Sequence, residues 1–281
     1  IPTVLVDVSK ENAEKGKDYS RRLVEKDVSR GKSTQEKGDA LLDLITTTDS
    51  YEDVTGADLV IEAVFENEEL KAKITEQAEA VLGDDAVFGS NTSTLPITGL
   101  AEASKRPANF IGIHFFSPVE RMGLVEIING EETSEETLAK SIDYVLAIKK
   151  TPIVVNDSRG FYTSRCFGTY TREGMEMLAE GIKPAIIENV GRQSGMPMGP
   201  LEVSDSVGLD TALKVTRATA EAMGVDIQKD DRTQFLAWLV EDSGRVGRKA
   251  GKGFYDYNEK GRPDKLWPDL NSRLEVKVDE C

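Results

Sequence analysis

The sequence has few cysteines, no long apolar run and no excess of positive charge. Its two cysteines, Cys166 and Cys281, are too few for a disulfide framework, so a reducing cytoplasm is the expected location. No stretch approaches the ~20 apolar residues that a membrane span requires. The opening Ile-Pro-Thr-Val-Leu-Val-Asp has no feature of a signal peptide. We therefore expect a cytoplasmic protein without a transmembrane segment.

The charge balance and the missing metal motifs exclude two further classes of protein. The net charge is −15, whereas nucleic-acid binding needs a surplus of lysine and arginine to neutralise phosphates. The sequence contains neither H-E-x-x-H nor C-x-x-C. We therefore expect no nucleic-acid partner and no metal site.

The distribution of apolar residues predicts two domains of different class. In residues 1–156, short apolar runs alternate with helical patterns, which is typical of βαβ units and a mostly parallel, doubly wound sheet of the Rossmann type. In residues 157–281 the segments read as helices separated by Gly and Pro, so an all-α domain is expected there. The predicted strands are 3–6, 45–48, 58–64, 86–90, 109–115, 124–128 and 152–155.

Polar side chains stand at the ends of several predicted strands: Asp7, Glu66, Asn91, Ser93 and His114. In an open α/β sheet, ligands bind outside the carboxyl ends of the strands. If the strands are parallel, these side chains face one crevice. The sequence therefore predicts a binding site at that edge of the sheet.

Asp7 has two interpretations. In a dinucleotide-binding unit, an acidic residue at the end of the second strand bonds the ribose hydroxyls, ~20 positions after a G-x-G-x-x-G turn. Only six residues precede Asp7. Either the glycine fingerprint was removed, or Asp7 is an ordinary acid at the end of a strand.

His114 is the only histidine, and histidine is the side chain best suited to take a proton near neutral pH. Its apolar neighbours would partly desolvate it and disfavour the charged imidazolium. Glu126 is a carboxylate in an otherwise apolar strand and needs a partner. Beside His114 it would restore basicity and fix the tautomer. The alternative is a hydrogen-bonded core histidine and an edge-strand glutamate.

Several segments together resemble the L-3-hydroxyacyl-CoA dehydrogenases of fatty acid β-oxidation. In the first domain they are Ser-Asn-Thr-Ser-Thr-Leu at 90–95, Gly-Ile-His-Phe-Phe-Ser-Pro at 112–118, Leu-Val-Glu-Ile at 124–127 and Glu-Ala-Val-Phe-Glu-Asn at 62–67. In the second they are Met-Pro-Met-Gly-Pro-Leu at 196–201, Asp-Ser-Val-Gly-Leu-Asp at 205–210 and Gly-Lys-Gly-Phe-Tyr-Asp at 251–256. The likeness runs over nearly the whole chain and is greatest to the multifunctional α chain of the bacterial β-oxidation complex.

The resemblance implies NAD-dependent oxidation of an L-3-hydroxyacyl-CoA. His114 would be the general base, Glu126 would orient and support the imidazolium, and Ser93 would hydrogen-bond the substrate oxygen. Asp7 would bind the adenosine ribose and favour NAD over NADP, whose 2′-phosphate it would repel. The substrate would also be contacted by Ser164, in addition to Ser93. The cofactor would be contacted by Ala63, Glu66, Lys71, Asn91 and Ser117. The resemblance also implies a homodimer or a component of a multienzyme β-oxidation complex.

Three departures from the family pattern accompany this resemblance. Ser117 stands where many members have Asn. Ser164 stands where an Asn usually contacts the substrate, and there we expect altered substrate contact rather than lost activity. The third departure is the missing first strand and glycine turn. As given, the chain is expected to bind NAD poorly, as a fragment would.

Two other functions fit the same pattern. A dehydrogenase of this fold that acts on a sugar acid such as gulonate would keep the histidine and glutamate. A crystallin-like structural relative would keep the fold and lose the chemistry, although the retained Ser93, His114 and Glu126 count against it.

Overall fold

The computed structural model describes residues 1–224, 226 and 230–272. The chain divides into two compact units, residues 1–164 and 165–281. Within the described ranges, no helix combines the length and the apolar character needed to cross a membrane. Cys166 is exposed and free, whereas Cys281 lies outside the described residues.

The first unit alternates strands and helices as predicted. Its strands are β1 (Thr3–Val6), β2 (Ile45–Thr48), β3 (Leu59–Glu62), β4 (Val87–Ser90), β5 (Phe110–Phe115), β6 (Leu124–Asn129) and β7 (Thr151–Asn156). Its helices are α1 (Lys10–Ser29), α2 (Gln35–Leu42), α3 (Glu68–Glu79), α4 (Ile97–Ala101) and α5 (Glu135–Ala147). Helix α6 (Thr163–Ala179) begins at the end of this unit.

The helices of the first unit start at polar residues that cap their free amides. The Ser9 hydroxyl accepts a hydrogen bond from the amide of Asn12 at the start of α1, and the Asn67 side chain does the same for Leu70 in α3. Ser134 caps α5 through the amide of Thr137. Each cap satisfies a donor that has no partner within the helix, so these boundaries follow from the local sequence.

The strands form two separate sheets rather than one. Strand β1 pairs with β2 in parallel, and a five-stranded sheet has the order β3-β4-β5-β6-β7. Strands β3, β4 and β5 are parallel, β6 is antiparallel to β5, and β7 is parallel to β6. The Rossmann-like fold is therefore confirmed. Among the described residues β1 and β3 do not pair with each other.

The second unit continues α6 and adds α7 (Pro184–Gln193), α8 (Pro200–Val207), α9 (Leu209–Met223) and α10 (Asp231–Ala237). The expectation of an all-α domain needs one addition, because β8 (Tyr255–Tyr257) and β9 (Pro263–Leu266) form a two-stranded antiparallel sheet. These strands are only three and four residues long, too short to show an alternating pattern.

Asp205, in α8, holds β8 through hydrogen bonds to its side-chain carboxylate. Its carboxylate accepts hydrogen bonds from the amides of Phe254 (2.8 Å) and Tyr255 (2.9 Å) and from the hydroxyl of Tyr257 (3.0 Å). Asp205 is only 1% exposed. Burial raises the pKa of Asp205 from 3.8 to about 6, although the amide and hydroxyl hydrogen bonds act in the opposite direction.

We expect the stability of the second unit to depend on pH through Asp205. A carboxyl whose folded pKa is raised contributes most below its unfolded pKa, and that contribution is lost as the pH rises through the folded value. At ~1.4 kcal/mol per pKa unit, the loss between pH 4 and 7 is on the order of 3 kcal/mol. Urea denaturation can follow it by tryptophan fluorescence, because Trp238 and Trp267 both lie in this unit.

Asp205→Asn is the matched control because it keeps the shape of the side chain and cannot titrate. The difference in unfolding free energy between the wild type and this variant should shrink as the pH rises from 4 to 7. A difference that stays constant over that range would contradict the assignment to Asp205.

Candidate active site

His114 and Glu126 lie opposite each other on neighbouring strands. They are register partners in the antiparallel pair β5–β6. His114 Nδ1 is 2.9 Å from Glu126 Oε2, and the two residues are 7% and 0% exposed. An ionised carboxylate only accepts hydrogen bonds, so Nδ1 carries a proton, and in the neutral ring Nε2 holds the lone pair. The structure thus brings together the two residues that the sequence analysis paired.

Glu126 also accepts three hydrogen bonds from the start of α6. The amides of Tyr162 and Thr163 each lie 2.9 Å from Oε1, and the Thr163 hydroxyl lies 2.7 Å from Oε2. Burial acts to raise the pKa of Glu126. The hydrogen bonds with His114, Thr163 and Tyr162 outweigh it and hold the pKa below the usual range. The carboxylate therefore stays ionised beside the imidazole.

Ser93 belongs to a second cluster, at the carboxyl end of β4. Glu66 Oε1 accepts hydrogen bonds from the amide of Ser93 (2.7 Å), from its hydroxyl (2.9 Å) and from the hydroxyl of Thr92 (2.9 Å). Burial acts to raise the pKa of Glu66, but these hydrogen bonds keep it below its usual value. Glu66 thus fixes the backbone and the hydroxyl of the loop that carries Ser93.

Lys71, in α3, belongs to the same cluster through its ion pairs with Glu62 and Glu66. Its Nζ lies 2.9 Å from Glu62 Oε1 and 3.4 Å from Glu66 Oε2. The side chains of Lys71 and Glu62 are each 2% exposed, and the Ser90 hydroxyl also donates to Glu62. Lys71 is therefore a buried counter-ion for two carboxylates.

The remaining predicted residues are Asn91, Asp7, Ala63, Ser117 and Ser164. Asn91 Oδ1 accepts a hydrogen bond from the amide of Phe115 at 2.8 Å, which ties the ends of β4 and β5 together. Asp7 is exposed at the end of β1, in the separate two-stranded sheet. Ala63 and Ser117 are exposed. Ser164 is half-buried in the first turn of α6.

Sequence reasoning missed two residues that hold these clusters. Glu62 is an acid at the end of an apolar strand, the same signal that identified Glu126, and could have been found in this way. Thr163 gave no such signal, because its contact with Glu126 spans 37 residues and depends on the fold.

The arrangement around His114 suits proton transfer in a partly dry site. The ring centroids of Phe116 and Phe161 lie 4.5 and 6.1 Å from that of the imidazole. A neutral imidazole held by an ionised carboxylate can accept a proton through its other nitrogen, and the carboxylate stabilises the imidazolium that forms.

Polar groups at the carboxyl ends of β3, β4 and β5, where an open α/β sheet binds its ligands, together with a histidine–glutamate pair, fit a dehydrogenase of the nicotinamide-dependent class. Family models agree with that class. The model described as "3-hydroxyacyl-CoA dehydrogenase, NAD binding domain" matches residues 1–158, and "3-hydroxyacyl-CoA dehydrogenase, C-terminal domain" matches residues 160–257. The chain belongs to the 3-hydroxyacyl-CoA dehydrogenase family. The resemblance drawn from the motifs, and NAD as the cofactor, are confirmed.

Similar proteins are found among both curated proteins and solved structures. The chain is 38% identical over 277 residues to the fatty acid oxidation complex subunit alpha of Shewanella halifaxensis, and 42% identical over 268 residues to that of Idiomarina loihiensis. These matches cover 99% and 94% of this chain but only 39% and 37% of the relatives' lengths. The crystal structure of (S)-3-hydroxybutyryl-CoA dehydrogenase PaaH1 from Ralstonia eutropha matches with a TM-score of 0.81 and 34% identity, over 91% of this chain and 90% of that one.

Proposed function

We propose that this chain carries the catalytic machinery for NAD-dependent oxidation of L-3-hydroxyacyl-CoA to 3-oxoacyl-CoA in fatty acid β-oxidation. One observation carries the proposal: the 2.9 Å hydrogen bond between His114 Nδ1 and Glu126, at the ligand-binding edge of the sheet. A histidine with a purely structural role can be satisfied by neutral partners such as main-chain carbonyls or hydroxyls. It does not need a carboxylate that three further donors keep ionised.

In this proposal His114 is the general base. Its Nε2 takes the proton of the substrate 3-hydroxyl, and Glu126 stabilises the resulting imidazolium and keeps the ring oriented. Ser93 hydrogen-bonds the substrate oxygen by turning its hydroxyl proton away from Glu66 Oε1, while the Ser93 amide keeps the loop bound to Glu66. Ser164 contacts the substrate from the first turn of α6.

The donor set fits the sugar and nicotinamide parts of NAD. Asp7 offers an exposed carboxylate for ribose hydroxyls, and the nicotinamide side is assigned to Ala63, Glu66, Lys71, Asn91 and Ser117. Because the Lys71 ammonium is bound to Glu62 and Glu66, it would act there as a fixed positive charge. When bound, NAD supplies the hydride-accepting chemistry. The 281 residues contain no G-x-G-x-x-G turn for the diphosphate.

The proposal extends to the organisation of the protein. We assign residues 1–156 to NAD binding and residues 157–281 to substrate binding and dimerisation. The curated relatives are named as α subunits of a fatty acid oxidation complex, and they support a role for this chain in such a complex. The low number of cysteines supports a reducing cytoplasm as its location. The chain corresponds to about two fifths of those proteins.

A substrate comparison tests the proposed reaction. The assay follows NADH absorbance with acetoacetyl-CoA and, separately, NAD reduction with gulonate. It uses the chain alone and the chain preceded by a strand and a G-x-G-x-x-G turn from a relative. We expect the extended chain to reduce acetoacetyl-CoA and to leave gulonate unchanged, and the chain alone to need far more NADH. Turnover of gulonate only would contradict the acyl-CoA assignment.

A further inference from the structure

Thr163 contributes both its amide and its hydroxyl to the carboxylate that supports His114. The hydroxyl donates to Oε2 at 2.7 Å, the same oxygen that faces His114 Nδ1, and the amide donates to Oε1 at 2.9 Å. With the Tyr162 amide on Oε1, the donors to Glu126 other than His114 that lie in the described residues come from the first turn of α6 or the residue before it. Glu126 is therefore held from two directions, by β5 and by α6.

Of the three hydrogen bonds from α6 and the residue before it, only the one from the Thr163 hydroxyl depends on the identity of a side chain. Main-chain amides are present whatever the residue, and they fix Oε1. Oε2, which contacts the imidazole, is fixed from the α6 side by the threonine hydroxyl alone among the hydrogen bonds found in the described residues. A carboxylate that can rotate about its last torsion would hold the imidazole less firmly.

We propose that Thr163 is a positioning residue for the catalytic pair: its hydroxyl locks the Glu126 carboxylate in the orientation that holds His114. This inference rests on the proposed role of His114 as general base. Thr163 itself would not touch the substrate or the cofactor. Its effect would pass through Glu126 to the orientation and proton affinity of one imidazole.

The sequence offers a matched set of variants. Thr163→Val removes the hydroxyl and keeps the shape and the amide, Thr163→Ser keeps the hydroxyl, and Thr163→Ala is a second test if the valine variant does not fold. Thr169→Val is the control, because Thr169 lies on the same helix, is exposed, and donates only to the carbonyl of Arg165 among the described contacts.

The test is a spectroscopic measurement that needs no substrate. His114 is the only histidine, so ¹⁵N-histidine labelling of the 281-residue chain yields a single imidazole whose Nδ1-bound proton reports the hydrogen bond to Glu126. The Thr163 hydroxyl donates to a charged group, the stronger kind of hydrogen bond, so exchange of that proton with water should be at least about tenfold faster in Thr163→Val. Thr163→Ser and Thr169→Val should match the wild type.

The outcome is independent of the reaction assigned above. If the chain were inactive toward acetoacetyl-CoA, the proposed function would be wrong, but the exchange rate of the His114 Nδ1 proton would still test the role of Thr163. Where activity is present, we expect kcat to fall about tenfold in Thr163→Val with KM unchanged, and Thr163→Ser to restore it. An unchanged exchange rate in folded Thr163→Val or Thr163→Ala would overturn the inference. So would an equal effect of Thr163→Val in a Glu126→Gln background.

Discussion

Replacing Lys71 with Met should destabilise the first unit by about 3–5 kcal/mol, the usual cost of removing one member of a buried ion pair. Lys71 and Glu62 are each 2% exposed at the side chain, and their charged atoms are 2.9 Å apart. Without the ammonium, the Glu62 carboxylate remains buried with the Ser90 hydroxyl as its remaining side-chain donor among the described contacts. Urea denaturation followed by circular dichroism measures the loss.

Two controls separate burial of charge from loss of contact. The double variant Glu62→Gln/Lys71→Met removes both charges of the buried pair, and only the partly exposed Glu66 loses a counter-ion, so it should recover most of the loss. Lys15 forms an ion pair with Glu11 on the surface, where the two side chains are 65% and 80% exposed. Lys15→Met should therefore lower the free energy of unfolding by at most about 0.5 kcal/mol. Equal losses from Lys71→Met and Lys15→Met would show that the buried pair is not the cause.

Much of the first unit could be predicted because its signals are local. Short apolar runs gave the strands, and Ser9, Asn67 and Ser134 mark the helix starts by their position and chemistry. The pairing of His114 with Glu126 was accessible as well, because a carboxylate in an apolar strand needs a partner and only one histidine exists.

What could not be predicted depends on contacts between distant segments. The sequence does not state that β6 runs antiparallel to β5, yet this register sets Glu126 directly opposite His114. The threonine that fixes Glu126 lies 37 residues further along the chain. Periodicity carries no information about either.

The placement of Lys71 shows the difference between naming a residue and placing it. The family pattern assigns Lys71 to the cofactor side of the site. The structure adds that its ammonium is buried between Glu62 and Glu66, so it also links the core to the loop of Ser93. The burial of Lys71 could not be predicted from the sequence of α3, because charged residues also occupy the exposed positions of that helix.

Replacing His114 with Gln should lower kcat by roughly 10²–10⁴-fold, the contribution typical of a positioned general acid or base. Glutamine can keep a hydrogen bond to Glu126 but cannot accept a proton at neutral pH. NADH binding to the chain extended by the G-x-G-x-x-G turn, measured by fluorescence, should be unchanged, since the lost group acts on the substrate proton. A variant that lost both turnover and NADH binding would point to a damaged site instead.

The most direct measurement compares kcat for acetoacetyl-CoA reduction in His114→Gln, Glu126→Gln and the double variant. Residues that act as a unit have strongly non-additive effects. If Glu126 works only through the imidazole, the double variant should be no slower than His114→Gln alone. Losses that multiply, or a wild-type rate in His114→Gln, would contradict the role given to this pair.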